Sequence, residues 1–200
     1  MRDIKPIQVG VPLLFRGSFD FDKTTIIEKF EDIATRSKNF DKYGFGDFQG
    51  NVGSSANNTD YQPHTWPELK DHYDWVLERS KEIFKLWGME DDPYIDRSWI
   101  NRYGKGGILN QHRHANTDLI AVSYIYVPKN GGDLIIVDPL EYHWFRIPSN
   151  NNLQMYFGQT VPVATNDVLF FAGFLRHSVE PNESDHYRWI ISTNIRTKGN

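Results

Sequence analysis

Along this chain the spacing of hydrophobic positions changes once, at Gly88, from helical intervals to every second residue. Ahead of that point, Val11 to Arg16 is a short apolar run closed by Gly17, the pattern of an edge strand in which Pro12 is tolerated. Ile26, Ile27, Phe30, Ile33 and Ala34 then recur with period 3.6, predicting a helix over Thr24–Arg36 with Thr25 and Glu28 as a capping box. A longer stripe of Trp66, Leu69, Tyr73, Val76, Leu77, Ile83, Phe84 and Trp87 predicts a second helix over Trp66–Trp87, about six turns, with Thr65 as N-cap and Pro67 in the first turn. Both helices are expected to back a sheet, with His72 on the surface. Between them, Lys38 to His64 mixes Gly44, Gly46, Gly50 and Gly53 with Phe40, Tyr43, Phe45 and Phe48. A connection this long is either a substrate-contacting flap or a packed loop, and its aromatics argue against simple disorder.

After Gly88 the alternation persists to the end. Tyr94 to Tyr103 places Trp99, Asn101 and Tyr103 on one face, and Asp118 to Val127 is apolar on both faces, as in a buried central strand, with Tyr124 and Tyr126 sharing a side. Shorter strands are expected at Asp133–Val137, Gln154–Phe157, Thr160–Val163, Asp167–Phe171, Arg176–Val179 and Tyr187–Ile195, separated by Gly, Pro and Asn turns. Helices first and many short strands afterwards predict a mainly β chain with flanking helices, built on a double-stranded β-helix, the jelly roll of cupin-like proteins. The expected organisation is one domain over 1–200, with an N-terminal strand, support helices and flap in 1–93 and a β core in 94–197.

Composition narrows the chemistry. A formal charge of −4 without a basic run offers no footprint for nucleic acid. The absence of cysteine excludes disulfides, thiolate catalysis and cysteine-held metals, so any metal must rest on nitrogen and oxygen. Met1 to Pro6 lacks the apolar core of a signal peptide, and no apolar run approaches the roughly 18 residues of a membrane span. A cytoplasmic protein without membrane partners is expected.

Candidate chemistry centres on Asn110-Gln111-His112-Arg113-His114. In an extended strand His112 and His114 project from the same face and offer two imidazoles to a metal, although two surface histidines would give the same pattern. His177 returns beside them only if the sheet folds over on itself, which a jelly roll does. Arg188 heads the apolar strand Trp189-Ile190-Ile191, where its burial is costly unless it meets an anion such as a carboxylate.

The ordered set of H-x-H, then H-S-V-x-P about His177, then Arg188 resembles the 2-oxoglutarate- and iron(II)-dependent dioxygenases, in particular a small bacterial and phage branch. Trp99-Ile100-Asn101-Arg102-Tyr103, Ser123-Tyr124-Ile125-Tyr126-Val127, Gly132-Asp133-Leu134 and Asn166 to Phe171 also match that branch, so the resemblance covers about Tyr94 to Ile195. It implies iron(II), 2-oxoglutarate as cosubstrate and O2, with hydroxylation of an organic or protein substrate coupled to decarboxylation of 2-oxoglutarate to succinate. It also implies His112, His114 and His177 as metal ligands and Arg188 on the far carboxylate of 2-oxoglutarate. Tyr103, Tyr126 and Asn101 would contact the cosubstrate.

Two positions depart from the better-known members. His114 occupies the usual carboxylate position of a 2-His-1-carboxylate triad, so either three histidines bind the metal or Asp118 supplies the carboxylate. Four residues of strand span roughly 13 Å, so Asp118 is expected at most to orient an imidazole through its other nitrogen. Ile190 stands where many relatives have a serine, a role that falls to Ser192. The competing readings are a cupin-like metalloenzyme that does not use 2-oxoglutarate, for which a buried Arg188 has no purpose, and a metal-free carbohydrate-binding β-sandwich using Trp99, Tyr103, Tyr124 and Tyr126 as stacking platforms.

Overall fold

The computed structural model describes residues 13–36, 48–56, 61–137 and 158–198. It is mainly β, with eleven described strands in two antiparallel sheets that face each other as a jelly roll. The strands are β1 (Leu14–Ser18), β2 (Phe48–Gln49), β3 (Val52–Ser54), β4 (Pro93–Tyr103), β5 (Ile108–His112), β6 (Leu119–Tyr126), β7 (Leu134–Val137), β8 (Gly158–Val161), β9 (Asp167–Ala172), β10 (His177–Val179) and β11 (Arg188–Thr197). The larger sheet runs β1-β9-β6-β11-β4-β3 and the smaller β2-β5-β10-β7-β8. Helices α1 (Lys23–Arg36) and α2 (Lys70–Leu86) are the two long helices.

Period-two alternation divides the core into two layers. Leu119, Ala121 and Ile125 of β6 face outward with Val168, Phe170, Trp189 and Ile191, meeting Phe30 of α1 and Val76 and Phe84 of α2. Ile120, Val122 and Tyr124 face inward with Leu169, Phe171 and Ile190, meeting Leu109, Leu134, Ile136 and Val179 of the smaller sheet. Both faces of β6 are therefore buried, as its apolar run, broken by Ser123, requires. The inner layer is shared with the cavity described below.

Several local expectations are corrected. The helix α1 is capped by Asp22, whose carboxylate accepts hydrogen bonds from the Thr25 backbone N–H (3.2 Å) and hydroxyl (2.7 Å), so Thr25 lies inside the helix. Thr65 does not cap α2. Its hydroxyl donates to Gln62 O, and two 3₁₀ turns, Pro63–Thr65 and Pro67–Leu69, precede the helix, because two prolines impose tight turns ahead of the regular ladder. His72 is buried, with Nε2 3.0 Å from Ser123 Oγ and aromatic contacts to Phe19, Phe21, Tyr73 and Trp75.

The expected flap contains a pair of short strands. β2 pairs with β5 and β3 with β4, so the chain passes from one sheet to the other across Gly50 and Asn51. Residues 38–47 and 57–60 of that segment, and the strand expected at Gln154–Phe157, lie outside the described residues. Tyr124 and Tyr126 do not share a face. The β6–β11 register advances by one residue across Ile125, since Trp189 pairs with Tyr126 and Ile190 with Tyr124, and this bulge turns Tyr126 to the helical side.

Candidate metal centre and cosubstrate cavity

The two sheets bring the three histidines together. β10 pairs with β5 so that His177 lies opposite His112. His114 lies just beyond the end of β5 rather than within it, and is held by its backbone N–H donating to Gly173 O at 3.1 Å. A side chain at Gly173 would collide with the Thr117 carbonyl, so this close approach requires glycine. The ring centroids of the three histidines are 4.2 to 5.2 Å apart, and one nitrogen from each lies within 4.8 Å of the others.

Each Nδ1 faces an oxygen acceptor: Asn110 O at 2.9 Å from His112, Asn194 Oδ1 at 2.6 Å from His114, and Leu175 O at 3.0 Å from His177. These acceptors place the proton on Nδ1 and leave Nε2 with a lone pair for a metal. The Nε2 atoms of His112 and His114 are 3.2 Å apart. An ion about 2.1 Å from two nitrogens at a right angle separates them by about 3.0 Å, so the pair already has the spacing of adjacent ligands. Burial lowers the His114 pKa to about 4, against the opposing bond to Asn194. Burial, and then the neighbouring His112 and His114, hold His177 well below the ordinary imidazole range. Both rings are neutral near pH 7, the form that ligates a metal. The donor set thus fits a divalent transition metal.

Asp118 is elsewhere. Its Oδ2 accepts from the Thr197 backbone N–H (2.9 Å) and hydroxyl (3.3 Å), and it is absent from the histidine group. The turn at Ala115 and Asn116, where Asn116 takes φ 55°, directs it toward the end of β11. Neither the ligand role nor the imidazole-orienting role expected of Asp118 is seen, and Asn194 orients His114 instead.

A cavity of about 470 Å³ joins the histidines to Arg188. Its floor is the inner face of the larger sheet: Arg188, Ile190, Ser192 and Asn194 alternate along β11, Arg97, Trp99 and Asn101 along β4, and Ile120, Val122 and Tyr124 along β6. Trp99 stacks on His114, with centroids 5.5 Å apart at 26°. Asn101 Nδ2 donates to Ser192 Oγ at 3.1 Å, so both polar residues singled out in the sequence line the cavity as a pair.

Arg188 is wholly buried. Its Nη1 donates to Gly131 O (2.6 Å) and Gly132 O (2.8 Å), while Nε and Nη2, the two donors on one edge of the guanidinium, have no partner. Gly132 takes φ 81°, and a side chain there would meet the Glu180 and Pro181 carbonyls. A buried guanidinium edge with two parallel N–H groups is the complement of a carboxylate. Tyr103 does not line the cavity; its ring lies under Arg188, 4.3 Å from Cζ to centroid. Tyr126 packs on the helical side, away from the cavity. The inward tyrosine is Tyr124, whose phenol burial holds it protonated. Asn194 and Arg97 were not assigned from sequence, although they alternate in register with Arg188 and Trp99, and Tyr124 was assigned only as a stacking platform in the carbohydrate-binding reading.

A jelly roll that gathers three imidazoles and a buried, half-satisfied arginine around one cavity has the donor set of a metal-dependent enzyme with an anionic ligand. Residues 97–194, most of the β core, match the family described as "Putative 2OG-Fe(II) oxygenase", so this part of the chain is similar to the 2-oxoglutarate- and iron(II)-dependent oxygenases. That family uses iron(II), 2-oxoglutarate and O2. No curated protein matches the chain by sequence. Among solved structures, a Pseudomonas putida prolyl-4-hydroxylase superposes with TM-score 0.61 at 11% identity, covering 93% of each chain. HygX from Streptomyces hygroscopicus, with nickel and 2-oxoglutarate bound, gives 0.61 at 14% identity, covering 92% of this chain and 83% of that one. A 2OG-Fe(II) oxygenase-family oxidoreductase from Burkholderia pseudomallei aligns with 65% of this chain and 56% of its own, at 15% identity and TM-score 0.47. No helix among the described residues is long and apolar enough to cross a membrane.

Proposed function

We propose that the protein is a hydroxylase that couples oxidation of a C–H bond in an organic substrate to decarboxylation of 2-oxoglutarate, with His112, His114 and His177 as iron ligands and Arg188 as the cosubstrate anchor. The observation that carries this reading is the free Nε/Nη2 edge of Arg188 in the cavity that also holds the three imidazoles. A cupin-like enzyme without a keto acid has no use for that edge. In this reading 94–197 is the catalytic core of a single domain, and 1–93 supports it.

Iron(II) held by the triad supplies the oxidative chemistry: 2-oxoglutarate, O2 and R–H become succinate, CO2 and R–OH. The chain's own contributions are positional. Arg188 pairs with the distal carboxylate, and the Tyr103 ring beneath it fixes the plane of the fork. Tyr124 offers a phenolic donor from the floor. Asn110, Asn194 and Leu175 lock the three imidazole tautomers. Leu109, Val122, Leu134, Val179 and Ile190 line the space between anchor and metal with apolar surface, which excludes water and strengthens both polar contacts. Oxygen insertion asks for no further acid or base, and among the described lining residues there is no carboxylate. The test is succinate formation from 2-oxoglutarate under air: dependence on added iron(II), with loss in the Arg188→Met variant, supports the reading, and iron-loaded protein that neither binds nor consumes 2-oxoglutarate overturns it.

A further inference from the structure

Beside the metal centre lie two guanidinium groups that metal and cosubstrate binding leave unused. Arg97 and Arg113 both line the cavity with the histidines, and neither makes an ion pair with a carboxylate among the described residues. Arg97 is half-buried, adjacent to Trp99 (Cζ 5.9 Å from the ring centroid), which in turn stacks on His114. Arg113 is exposed and also lines a second, outer cavity with His114 and Phe174. The cavity therefore runs from a wholly buried arginine at one end to a half-buried and an exposed arginine at the other.

Local geometry aims Arg97 inward. The β4–β11 register slips by one residue at Asp96, since Asn194 pairs with Arg97 and Ile195 with Ile95. Asp96, the extra residue, is exposed and pairs with Arg196 (3.7 Å) instead of its sequence neighbour. The bulge turns the adjacent carboxylate away and leaves Arg97 on the cavity face with Trp99 and Asn101. The replacement of the usual triad carboxylate by His114 acts in the same direction. With iron(II) and 2-oxoglutarate bound, the distal carboxylate would be offset by Arg188 and the other by the metal, so one charge on iron and two guanidinium groups would have no compensating carboxylate among the described residues. Grouped cations facing a partly desolvated cavity call for an anion.

We propose, resting on the oxygenase reading above, that the primary substrate is an anion whose carboxylate or phosphate is held by Arg97 and Arg113 on the solvent side of the metal. The reactive C–H bond is then presented to the metal from the end of the cavity opposite Arg188, so substrate and cosubstrate are sorted by two separate arginine sites.

The test uses the iron(II)-loaded protein saturated with 2-oxoglutarate under anaerobic conditions, where binding is read by calorimetry without turnover. Benzoate, phenyl phosphate and the neutral benzamide serve as probes. Binding of one or both anions, with at least about tenfold weaker binding of benzamide, is expected, and the stronger of the two anions identifies the substrate's acid group. Arg97→Gln should weaken the anion about tenfold and Arg113→Gln several-fold, with Arg97→Lys restoring part of the loss. Iron content and 2-oxoglutarate affinity, measured on the same samples, should stay unchanged; their loss in the wild type would refute the oxygenase reading itself. Equal binding of benzamide and benzoate, anion binding indifferent to both substitutions, or competition of the anion with 2-oxoglutarate would each overturn the proposal.

Discussion

Replacing Arg188 with methionine separates its two roles, anchor and structural element. Methionine has similar length and no charge, so it fills the space above Tyr103 while removing both donors of the free edge. Truncating one partner of a buried charge pair costs about 3–5 kcal/mol, which corresponds to about a two-hundred- to several-thousand-fold rise in the Kd for 2-oxoglutarate. Stability of the protein without cosubstrate should respond little. The wild type carries the cost of a buried guanidinium with two unmet donors, and the variant instead leaves Gly131 O and Gly132 O without their donor. Each side is about 1–3 kcal/mol, so they offset to within about 1–2 kcal/mol, a Tm change of only a few degrees for a chain of this size. Calorimetric titration of 2-oxoglutarate into the anaerobic iron(II) protein, paired with thermal unfolding by circular dichroism, reads both quantities. At a ligand concentration about a hundred times the wild-type Kd, the wild type should gain about 2.7 kcal/mol, and the Arg188→Met variant should gain nothing at that concentration. Equal affinity in the two proteins, or collapse of the unliganded variant, would make Arg188 a structural residue and refute the reasoning.

Two further outcomes follow from individual contacts. Asn194→Leu removes the acceptor at His114 Nδ1 and should lower iron(II) affinity by about 10- to 100-fold, with Asn194→Asp retaining it; unchanged affinity in the leucine variant would dismiss Asn194 as an orienting group. Burial lowers the His72 pKa to about 3, so the unfolded chain takes the proton first: the stability this group confers is complete above about pH 6.5 and is lost as pH falls toward 3, by about 1.4 kcal/mol per unit. His72→Phe, within the cage of Phe19, Phe21, Tyr73 and Trp75, should flatten that stretch of the denaturation profile, and an identical profile would exclude His72 as the source.

The change of period at Gly88 was enough to read the jelly roll and its two backing helices, because burial on both faces of β6 and on one face of each helix leaves a regular imprint. The histidines were legible from the spacing of His112 and His114, two apart on one strand face, and from their order with His177, and Arg188 because it heads an apolar strand. What escaped depends on local irregularity or on contacts distant in sequence. The extra residue at Ile125 inverts the face of Tyr126, and nothing in the alternation of Tyr124 and Tyr126 marks it. Asp22 outcompetes Thr25 as cap because a carboxylate accepts from both the backbone and the hydroxyl of Thr25. Asp118 looked available because its partner, Thr197, lies at the far end of the chain on β11. β2 and β3 are too short for any period to appear. Asn194 was within reach, since it stands at even spacing from Arg188 on one strand, but its role follows only from the 2.6 Å contact to His114.

Everything proposed for the cavity depends on a metal held by three imidazoles without a carboxylate. Anaerobic titration of iron(II) into the wild type, His114→Ala and Asp118→Ala, followed by calorimetry, addresses that ligand set. The wild type should bind one iron(II) per chain, His114→Ala should lose that binding, and Asp118→Ala, whose lost contacts lie at Thr197, should keep it. Loss of iron in Asp118→Ala with retention in His114→Ala would restore a carboxylate ligand and contradict the site described here.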